Sequence, residues 1–247
     1  MSFLDLLKRK KDAEVENEQQ FSVEDRGFEK LFKYGNITYS KIRHGTVYTR
    51  EYWDYFLPTA YAYPKPRVLL IGLAGGTVVF QLSALLQERL DLDVVELSRR
   101  AVELSQKFIP ETKANIMIGE GADYVNTTNK KYDAIMLDAY TSSKIPEQFL
   151  TRRFIDDAYR ALTGDGVLAI NYAMSLMGIL KFYEYVAKLK ERFRVYKINT
   201  AVFEGNVIIL CSKRLGKGEF LDRIMERMKE TEENVLLLRN YKNMEEL

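Results

Sequence analysis

The feature that most constrains the fold is an alternation of short apolar runs with helical patterns. The run Val68-Leu69-Leu70-Ile71 is apolar at every position, which is typical of a strand buried on both faces of a parallel sheet. From Thr77 to Leu90 the large aliphatic residues recur at helical spacing. The alternation continues through Leu92–Val95, Ser98–Phe108, Ile116–Ile118, Ala122–Val125, Ala134–Leu137, Glu147–Leu162 and Val167–Ile170. Strands that alternate with helices predict an α/β sheet that is mostly parallel.

The segments before and after this alternation predict antiparallel strands. After a helix expected near Leu176 to Arg192, the strands Val195–Thr200 and Val207–Cys211 are joined by Glu204-Gly205-Asn206, which predicts a hairpin at the edge of the sheet. Before the alternation, residues 21–49 show short alternating patterns with a turn at Gly35-Asn36. A small antiparallel sheet is therefore expected there, too small to be stable alone.

Four segments follow from these patterns. Residues 1–20 form a polar, amphipathic leader, expected to be frayed or packed on a partner, with binding to a membrane surface as the alternative. Residues 21–63 form the small β domain and a linking helix, Tyr52 to Tyr63, which Pro64 and Pro66 end. Residues 64–212 are expected to form one α/β domain that contains the alternation, and residues 213–247 a charged helical cap expected to be solvated.

Composition restricts the function classes. The net charge of +2 from 37 basic and 35 acidic residues gives no overall field for nucleic acid. One cysteine, Cys211, and one histidine, His44, are too few for a zinc cluster or an internal disulfide. No apolar run reaches the roughly 18 residues of a membrane span. We therefore expect a cytoplasmic, metal-free protein with no membrane span and no nucleic-acid partner.

Ligands of open α/β sheets bind outside the carboxyl ends of the strands, so the residues directly after each apolar run are the informative ones. The first run is followed by the small-residue turn Gly72-Leu73-Ala74-Gly75-Gly76-Thr77, which opens a helix. The next three are followed by Glu96, by Gly119-Glu120-Gly121 and by Asp138. Three of these four strand ends therefore carry an acid on the side where a ligand is expected.

Each of these residues has a functional and a structural interpretation. The glycine turn lets a ligand approach the backbone near helix N–H groups, or it simply permits a tight turn. Glu96 lies twenty-four residues after Gly72, a spacing suited to ribose hydroxyls, or it caps the helix that begins near Ser98. Glu120 is either a ligand-binding acid or a solvated loop residue. An acid after the second strand also argues against a cofactor with a 2′-phosphate.

These strand ends, and above all the segment from Tyr132-Asp133-Ala134-Ile135-Met136-Leu137-Asp138-Ala139-Tyr140 to Thr151, resemble the spermidine synthase family of aminopropyltransferases, in particular its divergent, spermidine-synthase-like branch. The resemblance covers roughly residues 21 to 211. It implies a methyltransferase-like Rossmann fold with a mostly parallel seven-stranded sheet and an antiparallel edge hairpin, in which residues 64–212 form the nucleotide-binding catalytic domain. It also implies transfer of an aminopropyl group from decarboxylated S-adenosylmethionine to a small-molecule amine, and a homo-oligomer, dimer or tetramer.

The resemblance also implies roles for individual residues. Glu96 would hold the ribose, Glu120 with Gly121 the adenine edge, and Asp138 the attacking amine. Tyr140 and Tyr52 would assist catalysis through hydrogen bonds, and a packing role is the alternative for both. The implied nucleoside-binding set is Gly72, Ala74, Gly75, Gly76, Glu96, Leu97, Glu120, Gly121 and Asp138.

The sequence departs from the family at two places. Gly75 stands where the family's glycine loop carries an acid for the donor's amine, and Thr141 and Ser143 stand where the loop after the aspartate carries an acid for the acceptor. Two other functions therefore stay open: a methyltransferase that uses S-adenosylmethionine, and a nucleotide-binding relative without catalysis. His44 is either a base or a structural loop residue, Cys211 is expected to be buried, and Trp53 is expected in the core.

Overall fold

The computed structural model describes residues 21–141, 144–174, 178–200 and 205–247. The predicted leader, residues 1–20, lies outside the described residues, as do Ser143, Leu176 and Glu204. The strands of the described part are β1 Phe21–Asp25, β2 Glu29–Tyr34, β3 Ile37–Arg43, β4 Arg67–Ile71, β5 Asp91–Glu96, β6 Asn115–Ile118, β7 Tyr132–Leu137, β8 Leu162–Ala173, β9 Arg194–Asn199, β10 Asn206–Ser212 and β11 Glu245–Glu246. Its helices are α1 Leu57–Tyr61, α2 Thr77–Leu86, α3 Arg99–Phe108, α4 Gly121–Thr127, α5 Arg152–Ala161, α6 Ile179–Lys190, α7 Lys217–Arg227 and α8 Val235–Lys242.

The large sheet confirms the predicted α/β class. Its order is β11-β9-β10-β8-β7-β4-β5-β6, in which β8, β7, β4, β5 and β6 are parallel and β10, β9 and β11 are antiparallel. The predicted seven strands gain an eighth, because Glu245–Glu246 pairs with Lys197 and Tyr196 at the edge. The small N-terminal sheet is antiparallel in the order β1-β2-β3, with Gly35 at a φ of 56° in the β2–β3 turn.

The large sheet has a buried core on each face. One core contains apolar residues of α1, α2, α3, α7 and α8, and the other contains those of α4, α5 and α6. Helices on both faces of the sheet account for the fully apolar runs of the parallel strands. No helix in the described part of the chain could span a membrane.

Three predicted helices are shorter or more irregular than the sequence indicates. The helix expected over Tyr52–Tyr63 is a 3₁₀ turn, Tyr52–Phe56, followed by α1, Leu57–Tyr61. The helix expected over Thr77–Leu90 ends at Leu86, because Gln87 has a φ of 50° and a 3₁₀ turn follows. The helix expected over Glu147–Leu162 is a 3₁₀ turn, Glu147–Leu150, followed by α5. Thr151 separates the two because its backbone is extended and its hydroxyl accepts a hydrogen bond from the Phe154 amide as an N-cap.

The C-terminal segment corrects the prediction of a solvated cap. Phe220 and Ile224 of α7, and Leu238 and Tyr241 of α8, are buried in the same core as α1 and α2. The Tyr241 hydroxyl also donates to the Tyr55 backbone carbonyl. The charged faces of both helices point outward, but their apolar faces complete the core.

Candidate active site

A cleft opens at the carboxyl ends of β4, β5, β6 and β7. Its walls are the residues that follow these four strands, Phe21 and Tyr39 of the small sheet, and from the next loop Ala139, Tyr140, Thr141, Pro146, Gln148 and Phe149. Because parallel strands end at the same edge, Gly72, Glu96, Glu120 and Asp138 all line this one cleft. The structure therefore brings together the four strand ends that the sequence singled out.

The glycine loop, residues 72–76, is packed too closely for side chains at two positions. Gly72 has a φ of 93°, and a Cβ there would overlap the backbone carbonyl oxygen of Asp138. A Cβ at Gly75 would come within 2.6 Å of the Phe32 Cβ and 2.8 Å of the Ser40 Cβ. The loop is therefore in contact with the Asp138 loop at its start and with the small sheet at its end.

The backbone amides of the glycine loop are all used within the protein. They donate to the Val95 carbonyl, twice to the Glu96 carboxylate, to the Ser40 hydroxyl and to the Leu73 carbonyl, at 2.8–3.2 Å. This loop consequently offers no amide to an anionic ligand unless one of these bonds is given up.

The Glu96 carboxylate, at the end of β5, binds both the glycine loop and the start of the segment that leads to α3. One carboxylate oxygen, Oε2, accepts from the Leu73 and Ala74 amides at 2.8 and 3.2 Å, and Oε1 accepts from the Ser98 amide at 2.8 Å. Each carboxylate oxygen accepts about two hydrogen bonds. Where only the described residues are counted, one acceptor position on Oε1 is therefore left, in a side chain that lines the cleft.

Ala74 and Gly76 shape the turn. Ala74 has a φ of 47° and lines the cleft. Gly76 precedes α2 with a φ of 91°, and a Cβ there would contact Ile109. Ala74 therefore lies at the cleft, whereas Gly76 packs toward Ile109.

Glu120 and Gly121 begin α4 at the third strand end. The Glu120 carboxylate accepts from the Asp123 amide at 2.9 Å as an N-cap and from the Gln148 side chain at 3.3 Å. A Cβ at Gly121 would overlap the Ile71 side chain. Leu97, the residue after β5, also lines the cleft and is 70% exposed. Its large apolar side chain is therefore available to pack against a flat ligand.

Asp138 has an unusual environment for a carboxylate. Its Oδ1 accepts from Asn171 Nδ2 at 2.8 Å, and Asn171 is only 1% exposed in β8. Burial raises the pKa of Asp138 from 3.8 to about 6, although hydrogen bonds from Asn171 and the Trp53 indole oppose the rise. Asp138 is therefore a stronger proton acceptor than a solvated aspartate.

The two tyrosines predicted to assist catalysis lie in different places. Tyr140 lines the cleft, but its hydroxyl donates to the Asn171 carbonyl at 2.8 Å and accepts from the Ala173 amide at 2.9 Å. The Tyr52 ring packs at a tilt against Trp53, with 4.5 Å between the ring centroids, and Tyr52 lines a separate cavity against the small sheet. The structure thus gives Tyr140 a role in holding the loop after Asp138, and it does not bring Tyr52 into the cleft.

Several residues of the site were not singled out from the sequence. Phe21 and Tyr39 reach the cleft from the small sheet, where alternation alone does not show which face meets a ligand. Asn171 directly follows the apolar run Val167–Ile170, so the rule applied to the first four strands also identifies it at the fifth. His44 lines another cavity, and Cys211 is buried as expected.

The charge of the cleft has one sign. Its described lining residues include the carboxylates of Glu96, Glu120 and Asp138 and no lysine or arginine. Within the described ranges there is also no group of three or more histidine, cysteine, aspartate or glutamate residues able to hold a metal ion. The cleft suits a ligand that carries positive charge.

Comparisons with known proteins agree with this arrangement. A polyamine aminopropyltransferase from Vibrio vulnificus is 33% identical over 115 residues, which are 44% of this chain and 38% of that enzyme. One from Clostridium botulinum is 29% identical over 49% of this chain and 43% of its own length. The chain thus spans less than half the length of either relative.

Solved structures show the same fold at low identity. The crystal structure of a probable spermidine synthase from Corynebacterium glutamicum has a TM-score of 0.71 at 18% identity and covers 89% of this chain and 82% of its own. The family model for the spermine/spermidine synthase domain matches residues 57–214, which include every strand whose end lines the cleft. That span is well over half of the sequence, and the chain therefore belongs to the spermine/spermidine synthase family.

Proposed function

We propose that this protein transfers an aminopropyl group from decarboxylated S-adenosylmethionine to an amine. The observation that carries the proposal is the cleft lined by three carboxylates without a lysine or arginine among its described residues. Both positive groups of this donor, the sulfonium and the primary ammonium, are favoured there, whereas the phosphates of a nucleotide cofactor are repelled.

The glycine loop supports the decarboxylated donor over S-adenosylmethionine. The carboxylate of S-adenosylmethionine needs a cation or free amides, and the amides of residues 72–76 already donate within the protein. A carboxylate held close to Glu96 and Asp138 without such a partner is unfavourable. This weighs against the methyltransferase alternative.

The nucleoside part of the donor fits the remaining residues. The free acceptor position on Glu96 Oε1 is available to a ribose hydroxyl, and a charge-assisted bond of this kind contributes roughly 1.5–3 kcal/mol. Leu97 offers an apolar surface to the adenine ring, and Glu120 accepts hydrogen bonds at its edge. These three side chains would contact the nucleoside without a change of conformation.

The chemical step is an in-line displacement. The acceptor nitrogen attacks the propyl carbon that is bound to the sulfonium sulfur, and a C–N bond forms. The electron pair of the broken C–S bond goes to sulfur, and the leaving group is neutral methylthioadenosine. The attacking nitrogen loses a proton to the Asp138 carboxylate. Deprotonating an alkylammonium of pKa near 10.4 at pH 7 costs about 4.6 kcal/mol. Asp138, whose pKa is raised to about 6, is the group in the cleft suited to take that proton.

The acceptor amine is bound by a carboxylate at its attacking nitrogen only. Thr141 lines the cleft where the family carries a second acid, so an acceptor's distal ammonium finds no carboxylate at that residue. We therefore expect amines with one cationic end to react as well as diamines do. This distinguishes the chain's expected substrate range from that of a strict diamine enzyme.

A panel of monoamines and diamines, incubated with the decarboxylated donor and analysed by mass spectrometry, tests the proposal. We expect an amine product heavier by one aminopropyl group, formed at least about 10²-fold more slowly by Asp138→Asn. If the protein binds methylthioadenosine but extends no amine, the non-catalytic alternative is correct.

A further inference from the structure

Asn171 contacts the candidate catalytic aspartate from the neighbouring strand. β7 and β8 are parallel, with Leu137 opposite Ile170, so the residues that follow this pair lie side by side. The Asn171 side chain is almost completely buried and donates to Asp138 Oδ1 at 2.8 Å. A buried amide in this position restricts rotation of the carboxylate.

Asn206 determines which end of the Asn171 amide faces Asp138. The Asn206 side chain donates through Nδ2 to Asn171 Oδ1 at 2.9 Å from β10. Because this donor requires an oxygen, the Asn171 NH₂ group must point the other way, toward the carboxylate. The direction of the hydrogen bond to Asp138 is thus set two strands away.

The backbone of Asn171 holds the same loop a second time. Its carbonyl accepts from the Tyr140 hydroxyl, which in turn accepts from the Ala173 amide. Tyr140 lies two residues after Asp138, so the side chain and the backbone of Asn171 both restrain this segment.

From this geometry we propose that Asn171, oriented by Asn206, is a positioning residue that fixes the Asp138 carboxylate for proton acceptance from the acceptor amine. The inference rests on the proposed aminopropyl transfer. Asn171 occupies one lone pair of Oδ1, so the remaining lone pairs of the carboxylate keep a constant direction in the cleft.

Removing the amide should also change the basicity of Asp138. A neutral donor stabilises the ionised carboxylate, so its loss raises the pKa further. Among the described residues, the other titratable groups that line the cleft are Tyr39 from β3, Glu96 from β5, Glu120 before α4, and Tyr140 from the same loop, while Trp53 presents an uncharged indole to Asp138. These groups are unchanged in the variants below.

Asn171→Leu removes the donor with little change in volume, and Asn206→Ala removes only the group that orients it. Asn115→Leu is the matched control, because Asn115 Nδ2 donates to the buried Asp93 carboxylate at 2.8 Å in the same sheet. The carboxyl signal of Asp138 is titrated by NMR in protein with ¹³C-labelled aspartate and assigned with Asp138→Asn. The pH dependence of kcat and the affinity for methylthioadenosine are measured on the same proteins.

We expect Asn171→Leu to move the Asp138 titration and the acidic limb of kcat upward by about one pH unit and to lower kcat by about tenfold or more. Asn206→Ala should do the same to a smaller extent, methylthioadenosine affinity should stay within threefold, and Asn115→Leu should change none of these. An unshifted Asp138 titration in folded Asn171→Leu, or in Asn206→Ala if the first variant does not fold, would overturn the inference. Because the titration does not require turnover, an inactive wild-type protein would refute only the proposed function.

Discussion

Asp138→Asn should make the protein more stable at neutral pH while it lowers turnover by about 10²-fold or more. The folded-state pKa of about 6 exceeds the ordinary value of 3.8, so the ionised carboxylate is less favourable in the folded protein than in the unfolded chain. Stability from this group is present below pH 4 and is lost as the pH rises through 6. The difference between the two values corresponds to about 3 kcal/mol lost by pH 8.

Asparagine is neutral at every pH and does not carry this penalty. We expect Asp138→Asn to gain up to about 3 kcal/mol in the free energy of unfolding at pH 8, and about half of that at pH 5. For a chain of this size the gain corresponds to a melting temperature higher by about 6–12 °C at pH 8. Turnover should fall by about 10²-fold or more, with nucleoside affinity within severalfold.

Thermal unfolding at pH 5 and pH 8, turnover and calorimetric titration with methylthioadenosine are measured on the same variant. Asp222→Asn, at an exposed position of α7, is the control for removing one carboxylate from the protein. A variant that is less stable at both pH values and retains full turnover would show that Asp138 braces its loop and takes no part in catalysis.

Two further substitutions and one affinity measurement on wild-type protein test the donor site. Glu96→Gln should weaken methylthioadenosine binding by about 10- to 150-fold in calorimetric titration, because a charged acceptor is lost, and Glu88→Gln on the exposed surface should leave it unchanged. Gly75→Asp should lower the free energy of unfolding by about 1–3 kcal/mol in urea denaturation, because its Cβ meets Phe32 and Ser40, and wild-type stability would contradict that packing. Since Gly75 provides no acid for the donor's amine, wild-type protein should prefer the decarboxylated donor over S-adenosylmethionine by less than about a hundredfold in affinity, and a much larger preference would mean that another residue binds the amine.

The sheet and the ligand edge could be predicted because both follow from local periodicity. An apolar run identifies a buried parallel strand, and the residue after it must lie at the carboxyl edge. Glu96, Glu120 and Asp138 converge for that reason alone. The same reasoning identifies Asn171, which follows an apolar run of the same kind.

Contacts between distant segments could not be predicted in this way. Phe32 and Ser40 fill the space beside Gly75 from strands about 35 to 43 residues earlier, and no pattern in the glycine loop indicates them. Tyr52 packs against Trp53, whose indole donates to Asp138, yet Tyr52 itself lines the separate cavity beside the small sheet and not the cleft. Side-chain direction in a 3₁₀ turn depends on tertiary packing, which the spacing of aromatic residues does not report.

The identity of the nucleoside product tests the central claim most directly. Wild-type protein is given equal concentrations of decarboxylated S-adenosylmethionine and S-adenosylmethionine with the amine panel, and the nucleosides are separated by chromatography. Aminopropyl transfer predicts methylthioadenosine in amounts equal to the extended amine, with both formed at least about 10²-fold more slowly by Asp138→Asn. Formation of S-adenosylhomocysteine with a methylated amine, and no methylthioadenosine, would contradict the account.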